Sequence, residues 1–127
     1  MSEVSVRIPA RANYVHVVRS LVAAVAAREN LSVDDIEDLR LALGEACAYL
    51  LGISAEEPAA ELSLRIDRQP GRLDVRTSVD SENRRPPKAD PQQTVMWHIL
   101  AALADEARLE ETPTGPAIHL TKMLPEL

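Results

Sequence analysis

The stretch GEACAYLL, residues 44–51, sets one carboxylate, Glu45, in a run of otherwise small or apolar residues and follows it four positions later with Tyr49. In a helix those two side chains share a face. A carboxylate in such surroundings either has a task there, becomes a strongly shifted acid when buried without a partner, or merely meets solvent at a helix edge. Cys47, between them, reads as a small core residue. Asp80 ends an alternating run, where an aspartate either caps a turn or holds a ligand. Trp97 and His98 open a helical stretch; the tryptophan suits a core or a partner contact, the histidine a surface. The His, Cys, Asp and Glu spacings suggest no zinc site, so no metal is assigned. A Ser-His-Asp triad is a matter of geometry and is not argued from spacing.

These residues need a scaffold. Val4, Val6 and Ile8 alternate with Ser5 and Arg7 until Pro9, a short first strand. Tyr14, Val18, Leu21, Val22 and Val25 then recur at helical spacing to about Asn30. Ser32 is a good N-cap for a second helix, with Asp34, Asp35 and Glu37 in its first turns and a stripe of Ile36, Leu39, Leu43, Ala46 and Leu50 that stops at Gly52. Two alternating runs, Leu62 to Ile66 and Leu73 to Val79, flank Gln69-Pro70-Gly71 and read as a β-hairpin. Residues 80–93 hold three prolines and no apolar period, so they read as a loop. Met96, Ile99, Leu100, Leu103 and Ala107 stripe a third helix; a strand from about Arg108, the turn TPTGP and a last strand with Ile118, Leu120 and Leu124 follow. The order predicts an α+β two-layer sandwich, a mixed and mostly antiparallel sheet with three helices on one face, in a single domain over residues 1–127.

Composition narrows the function. The 127 residues are 46% hydrophobic and 27% charged, enough apolar material for a core without disulfides. A net charge of −6 and an aromatic complement of one Trp, two Tyr and no Phe argue against direct nucleic-acid binding. The longest apolar run, residues 21–27, is too short to cross a bilayer, and a lone cysteine with no charged-then-apolar leader points to the cytoplasm.

Two stretches resemble a known family. Residues 8–48, IPARANYVHVVRSLVAAVAARENLSVDDIEDLRLALGEACA, and residues 102–124, ALADEARLEETPTGPAIHLTKML, resemble the RsbW and SpoIIAB type of bacterial anti-sigma factor, serine-protein kinases of the GHKL histidine kinase-like ATPase superfamily. The WHILAALADEA stretch from Trp97 is most similar to the divergent actinobacterial UsfX-like group. The resemblance implies a sheet backed by helices, with ATP held between the second helix, the loop after the hairpin and the start of the third helix. It implies a sigma factor and a STAS-type anti-anti-sigma antagonist as partners, a homodimer, and a partner-binding role for Arg19, which stands where the family has V-x-x-R-L; Trp97 is a second partner-binding candidate on its residue type alone.

Against that pattern several positions depart. The family's E-A-x-x-N motif, whose Glu is the base and whose Asn holds Mg²⁺, reads Glu45-Ala46-Cys47-Ala48-Tyr49 here, and a neutral phenol is a poor, bulky ligand for a hard ion. The D-x-G-x-G box keeps Asp80 but continues Ser81-Glu82-Asn83-Arg84, without the glycines that let backbone approach a nucleotide. Thr94 and Met96 occupy the two glycine positions of the box that cradles phosphates at the third helix, and Ala117 stands where relatives have an adenine-binding threonine. The resulting expectation is a sigma-binding regulator with a degenerate nucleotide site at Glu45, Tyr49, Asp80, Thr94, Met96 and Ala117, and with no cofactor. The alternative is an active Mg-ATP-dependent serine-protein kinase with Glu45 as base and Asn83 or Asp80 as substitute ligands.

Overall fold

The computed structural model describes residues 3–54, 57–80 and 95–125. Strand β1, Glu3–Pro9, turns Val4, Val6 and Ile8 inward. A single 3-10 turn at Ala12–Tyr14 feeds helix α1, Val15–Ala27, which buries Val18, Val22 and Ala26 at four-residue spacing. Asn30 takes a left-handed φ of 59° and breaks the chain away from that helix, a conformation asparagine tolerates better than most residues. Helix α2, Val33–Ile53, starts as expected at Ser32, whose Oγ accepts the Asp35 N–H at 3.0 Å. Its 21 residues span about 30 Å and run one position past Gly52.

Strands β2, Glu61–Gln69, and β3, Arg72–Asp80, form the hairpin, with Gly71 at φ 75° in its turn. The Leu124 N–H donates to the Gly71 carbonyl at 2.9 Å and ties the chain's last described segment to that turn. Helix α3, Val95–Leu103, is shorter than its apolar stripe suggested. Ala107 belongs instead to strand β4, Glu106–Thr112, opposite Leu120 of strand β5, Gly115–Met123. Asp105 makes the turn: its N–H donates to the Thr121 carbonyl at 3.0 Å and its carboxylate accepts the Met123 N–H at 2.6 Å. Apolar period alone did not separate the end of a helix from the start of a strand there, because both bury alanine and leucine on the same core.

The sheet order is β1-β2-β3-β5-β4, and every pairing is antiparallel, which corrects the expectation of a mixed sheet. Helix α2 lies on β3 and β5 with α1 and α3 packed beside it. Between these layers sits the core of Leu39, Leu43, Leu50, Leu62, Leu64, Ile66, Leu73, Leu100, Ile118 and Leu120, each at most 1% exposed. The two-layer α+β sandwich is therefore as the residue pattern predicted.

The other face of the sheet is open. Alternation places on it an acidic row, Glu3, Asp67, Asp74 and Glu106, and next to it a basic row, Arg65, Arg76, His119 and Arg108. Like charges lie directly opposite within each row, Asp67 facing Asp74 and Arg65 facing Arg76, a destabilising arrangement. Ion pairs offset it: Arg65 Nε lies 3.0 Å from Asp67 and 3.2 Å from Glu3 in the acidic row, and Arg76 lies 3.5 Å from Glu110, a β4 residue outside both rows.

Candidate functional site

At 100° per residue, Glu45 and Tyr49 fall on one flank of the α2 stripe that points at the sheet, and Gly44 on the other. Glu45 is half-buried and makes no hydrogen bond or ion pair with any described residue. Tyr49 packs against the core. Burial pushes its phenol above the ordinary value, and the Glu111 carboxylate on β4 adds to the shift, so the ring stays neutral. The flank therefore carries a phenol and two carboxylates, one of them delivered by a strand distant in sequence.

The opposite flank seats Arg19 of α1. A Cβ built on Gly44 would lie 3.5 Å from both Cδ and Nε of Arg19, so the guanidinium stem rests on the bare helix backbone. Arg19 Nε is buried without a hydrogen-bond partner among the described residues. Beneath it, Cys47 Sγ lies 3.9 Å from Thr77 Oγ1. Burial pushes the Cys47 thiol up to about 11, against the smaller opposing effects of the Thr77 contact and the Arg19 charge. At neutral pH it is a thiol, not a nucleophilic thiolate.

Glycine inside a helix costs about 1 kcal/mol relative to alanine. Because 3.5 Å is ordinary van der Waals contact, Gly44→Ala is expected to raise stability by about 0.5–1 kcal/mol, read as an upward shift in a thermal melt. A drop in stability would mean that Arg19 presses on the helix harder than this spacing allows.

The strand residues of the expected site sit elsewhere. Ser78 pairs with Ala117 and Asp80 with Glu61, in the alternation of Arg76 and His119. Asp80 and Ala117 therefore belong to the open face, away from Glu45 and Tyr49. This corrects the expectation that Ala117 lines a pocket with them; Ala117 is buried but lies outside the core cluster, and its neighbour Pro116 takes the helix-side alternation. Met96 and Trp97 open α3 half-buried against the core, on the helix side. Thr94 lies outside the described residues, as do Asn83 and residues 81–93 of the loop.

Glu111, whose charge reaches Tyr49, and the seat of Arg19 on Gly44 were not anticipated. A glycine in the middle of a good helix was the available signal for the second; nothing local signals the first, since β4 meets α2 only through the fold.

Comparison with known proteins follows this geometry. Residues 8–122 match the family described as the histidine kinase-like ATPase domain. Serine-protein kinase RsbW of Bacillus thuringiensis (strain Al Hakam) is 33% identical over 73 residues, which are 58% of this chain and 46% of that protein. RsbW of Bacillus cereus (strain AH187) matches to the same extent. This chain spans about half the length of these curated relatives or less. A crystal structure of the RsbU and RsbW domains of a Mycobacterium tuberculosis protein superposes with a TM-score of 0.73 over 98% of this chain and 32% of that one, at 16% identity, a likeness of fold.

Proposed function

Because the chain belongs to the histidine kinase-like ATPase domain family, we propose that it is an anti-sigma factor of the RsbW type, one that sequesters an RNA polymerase sigma factor by protein–protein binding and whose nucleotide site is degenerate. It works in the cytoplasm as a homodimer, opposed by a STAS-type anti-anti-sigma protein. The observation that carries the reading is Tyr49. In the family's metal-holding position stands a neutral, half-buried phenol packed on the core within reach of the Glu111 charge. A phenol replaces the carboxamide oxygen that magnesium needs, and a carboxylate nearby opposes a triphosphate's own charge. The described residues of this flank thus do not suit a magnesium nucleotide, and no phosphoryl-transfer step is derived through one. Arg19 serves the partner side: half-buried, with its stem seated on Gly44, its guanidinium can pair with an acidic partner residue. No described helix is long and apolar enough to cross a membrane.

A second reading keeps the kinase. It is favoured by Glu45, half-buried and with no ion pair to a described residue, which leaves its carboxylate free to accept a proton from an incoming hydroxyl.

Titration with Mg-ATP separates the two. The expected result is no heat in calorimetry and no shift in melting temperature at millimolar nucleotide. A bound nucleotide would instead stabilise the chain by about 2.7 kcal/mol at a hundredfold excess over its Kd, and that would overturn the degenerate-site reading. Tyr49→Asn alone is expected to restore neither ATP binding nor phosphorylation of an anti-anti-sigma protein, and to change affinity for the sigma factor less than threefold. Failure of the wild-type chain to retain a sigma factor in co-purification would remove the regulatory reading itself.

A further inference from the structure

We infer that the open face of the sheet carries a binding site for a small hydroxylated phosphate ester of the sugar-phosphate class. The site is a trough across β1, β2 and β3, walled by Arg7, Arg65 and Arg76 and floored by Ser63 and Ser78. It lies on the other side of the sheet from Glu45 and Tyr49 and does not rest on the regulatory reading above.

Strand register builds the trough. Ser63 of β2 faces Arg7 of β1 on one side and Ser78 of β3 on the other. Two residues further along, Arg65 stands in the same way between Ser5 and Arg76. The open face thus sets Arg7-Ser63-Ser78 beside Ser5-Arg65-Arg76. Neighbouring strands lie about 4.8 Å apart and alternate residues of one strand about 6.7 Å apart, so all three arginines stand within a side chain's length of a point above Ser63. Short side chains among long ones leave a hollow of about 440 Å³, with Ser5 and Glu3 at its β1 end.

The hollow offers the charge and the donors that an oxyanion needs. Three arginines and one glutamate line it, in a chain whose net charge is −6. Arg65 is firmly held, 3.0 Å from Asp67 and 3.2 Å from Glu3. Arg7 and Arg76 are held loosely: they lie 3.9 Å from Glu61 and 3.5 Å from Glu110, beyond the roughly 2.7–2.9 Å of a charge-assisted hydrogen bond. Ser63 and Ser78, both half-buried, make no hydrogen bond through their side chains to a described residue. Arg65 and Arg76 face each other directly, and an anion shared between them would relieve that repulsion.

The shape selects the ligand. One guanidinium fork satisfies a planar carboxylate, whereas donors arriving from three strands surround a tetrahedral group. A phosphate monoester supplies that geometry with nearly two negative charges at neutral pH. The hollow is about fifteen times the roughly 30 Å³ that a water molecule occupies in the liquid, so a bare phosphate leaves most of it empty. The Ser5 hydroxyl and Glu3 carboxylate at the far end suit the hydroxyls of an attached body. No aromatic ring lines the trough, which disfavours a stacked base.

Isothermal titration of the full chain with glucose 6-phosphate, inorganic phosphate and glucose, all without magnesium, tests the assignment. Glucose 6-phosphate is expected to bind at least about tenfold more tightly than inorganic phosphate, glucose to give no heat, and the ester's affinity to fall as salt is raised. Arg7→Gln and Arg76→Gln are each expected to weaken the ester about tenfold. Ser78→Leu, which fills the floor from a strand position outside the core, is expected to abolish binding while circular dichroism is unchanged. Nucleotide held at the Glu45 flank would still give heat in Arg76→Gln, so failure here and failure of the degenerate-site reading are distinguishable. No heat from the ester at about 10 mM, equal affinity for ester and inorganic phosphate, or an affinity unchanged by Arg76→Gln and Ser78→Leu overturns the site.

Discussion

Leu43→Ala is expected to lower the unfolding free energy by about 3 kcal/mol, within the roughly 2–5 kcal/mol range seen when a fully buried leucine is cut back to alanine. Leu43 is 0% exposed and lies in the middle of α2, whose buried stripe meets the sheet over β3 and β5. Its removal leaves a void that neighbours on the rigid sheet cannot collapse to fill. For a domain of this size that loss corresponds to a fall in melting temperature of about 10 °C. On the proposed reading the effect reaches function too, because α2 carries Glu45 and Tyr49 on one flank and the seat of Arg19 on the other. Chemical denaturation followed by circular dichroism measures the first effect. A loss below about 1 kcal/mol would show that α2 is not pressed into the core as its burial indicates.

Asp74→Asn, on the open face, is expected to cost about 1–3 kcal/mol at pH 7 and progressively less as the solution is acidified. Asp74 receives a hydrogen bond from Thr121 Oγ1 at 3.1 Å and one from Arg72 Nε at 3.1 Å, and His119 Nε2 lies 3.3 Å away. Burial alone would raise its pKa, but the contacts from His119, Thr121 and Arg72 outweigh that and hold the carboxyl below its ordinary value of 3.8. A carboxyl whose folded pKa is depressed adds stability above its unfolded pKa and loses it as pH falls through the folded one. The wild-type chain should therefore lose this contribution on acidification from about pH 5 downward, while the asparagine variant shows a flatter acid limb. Denaturant midpoints at pH 7, 5, 4, 3 and 2 give the comparison; parallel curves for the two proteins would mean that Asp74 titrates alike folded and unfolded.

The pattern of apolar residues made the layers readable because each element has a single buried side. Ser32 capped its helix and Pro70-Gly71 turned its hairpin for local reasons, and local reasons are what a sequence carries. The α3-to-β4 boundary was not readable, since Ala107 satisfies either period and only the pairing of Asp105 with β5 decides. The same division holds at the site. Glu45 and Tyr49 share a flank as their spacing required. Which face of the sheet receives Asp80 and Ala117 depends on strand register, a one-residue matter that motif matching does not resolve.

The sheet order has a consequence for the route by which the chain reaches this shape. β2 with β3, and β4 with β5, are hairpins between sequence neighbours, whereas β1 must find partners such as Asp67 for Glu3 across most of the first half of the chain. Closing so long a loop is entropically slow, and so is joining β3 to β5, where Arg72 must meet Met123, so the two hairpins are expected to form ahead of both long-range pairings. Until β1 arrives, the outer backbone groups of β2 form the open margin of the sheet on that side, so the chain is most prone to wrong strand pairing before its amino terminus has docked.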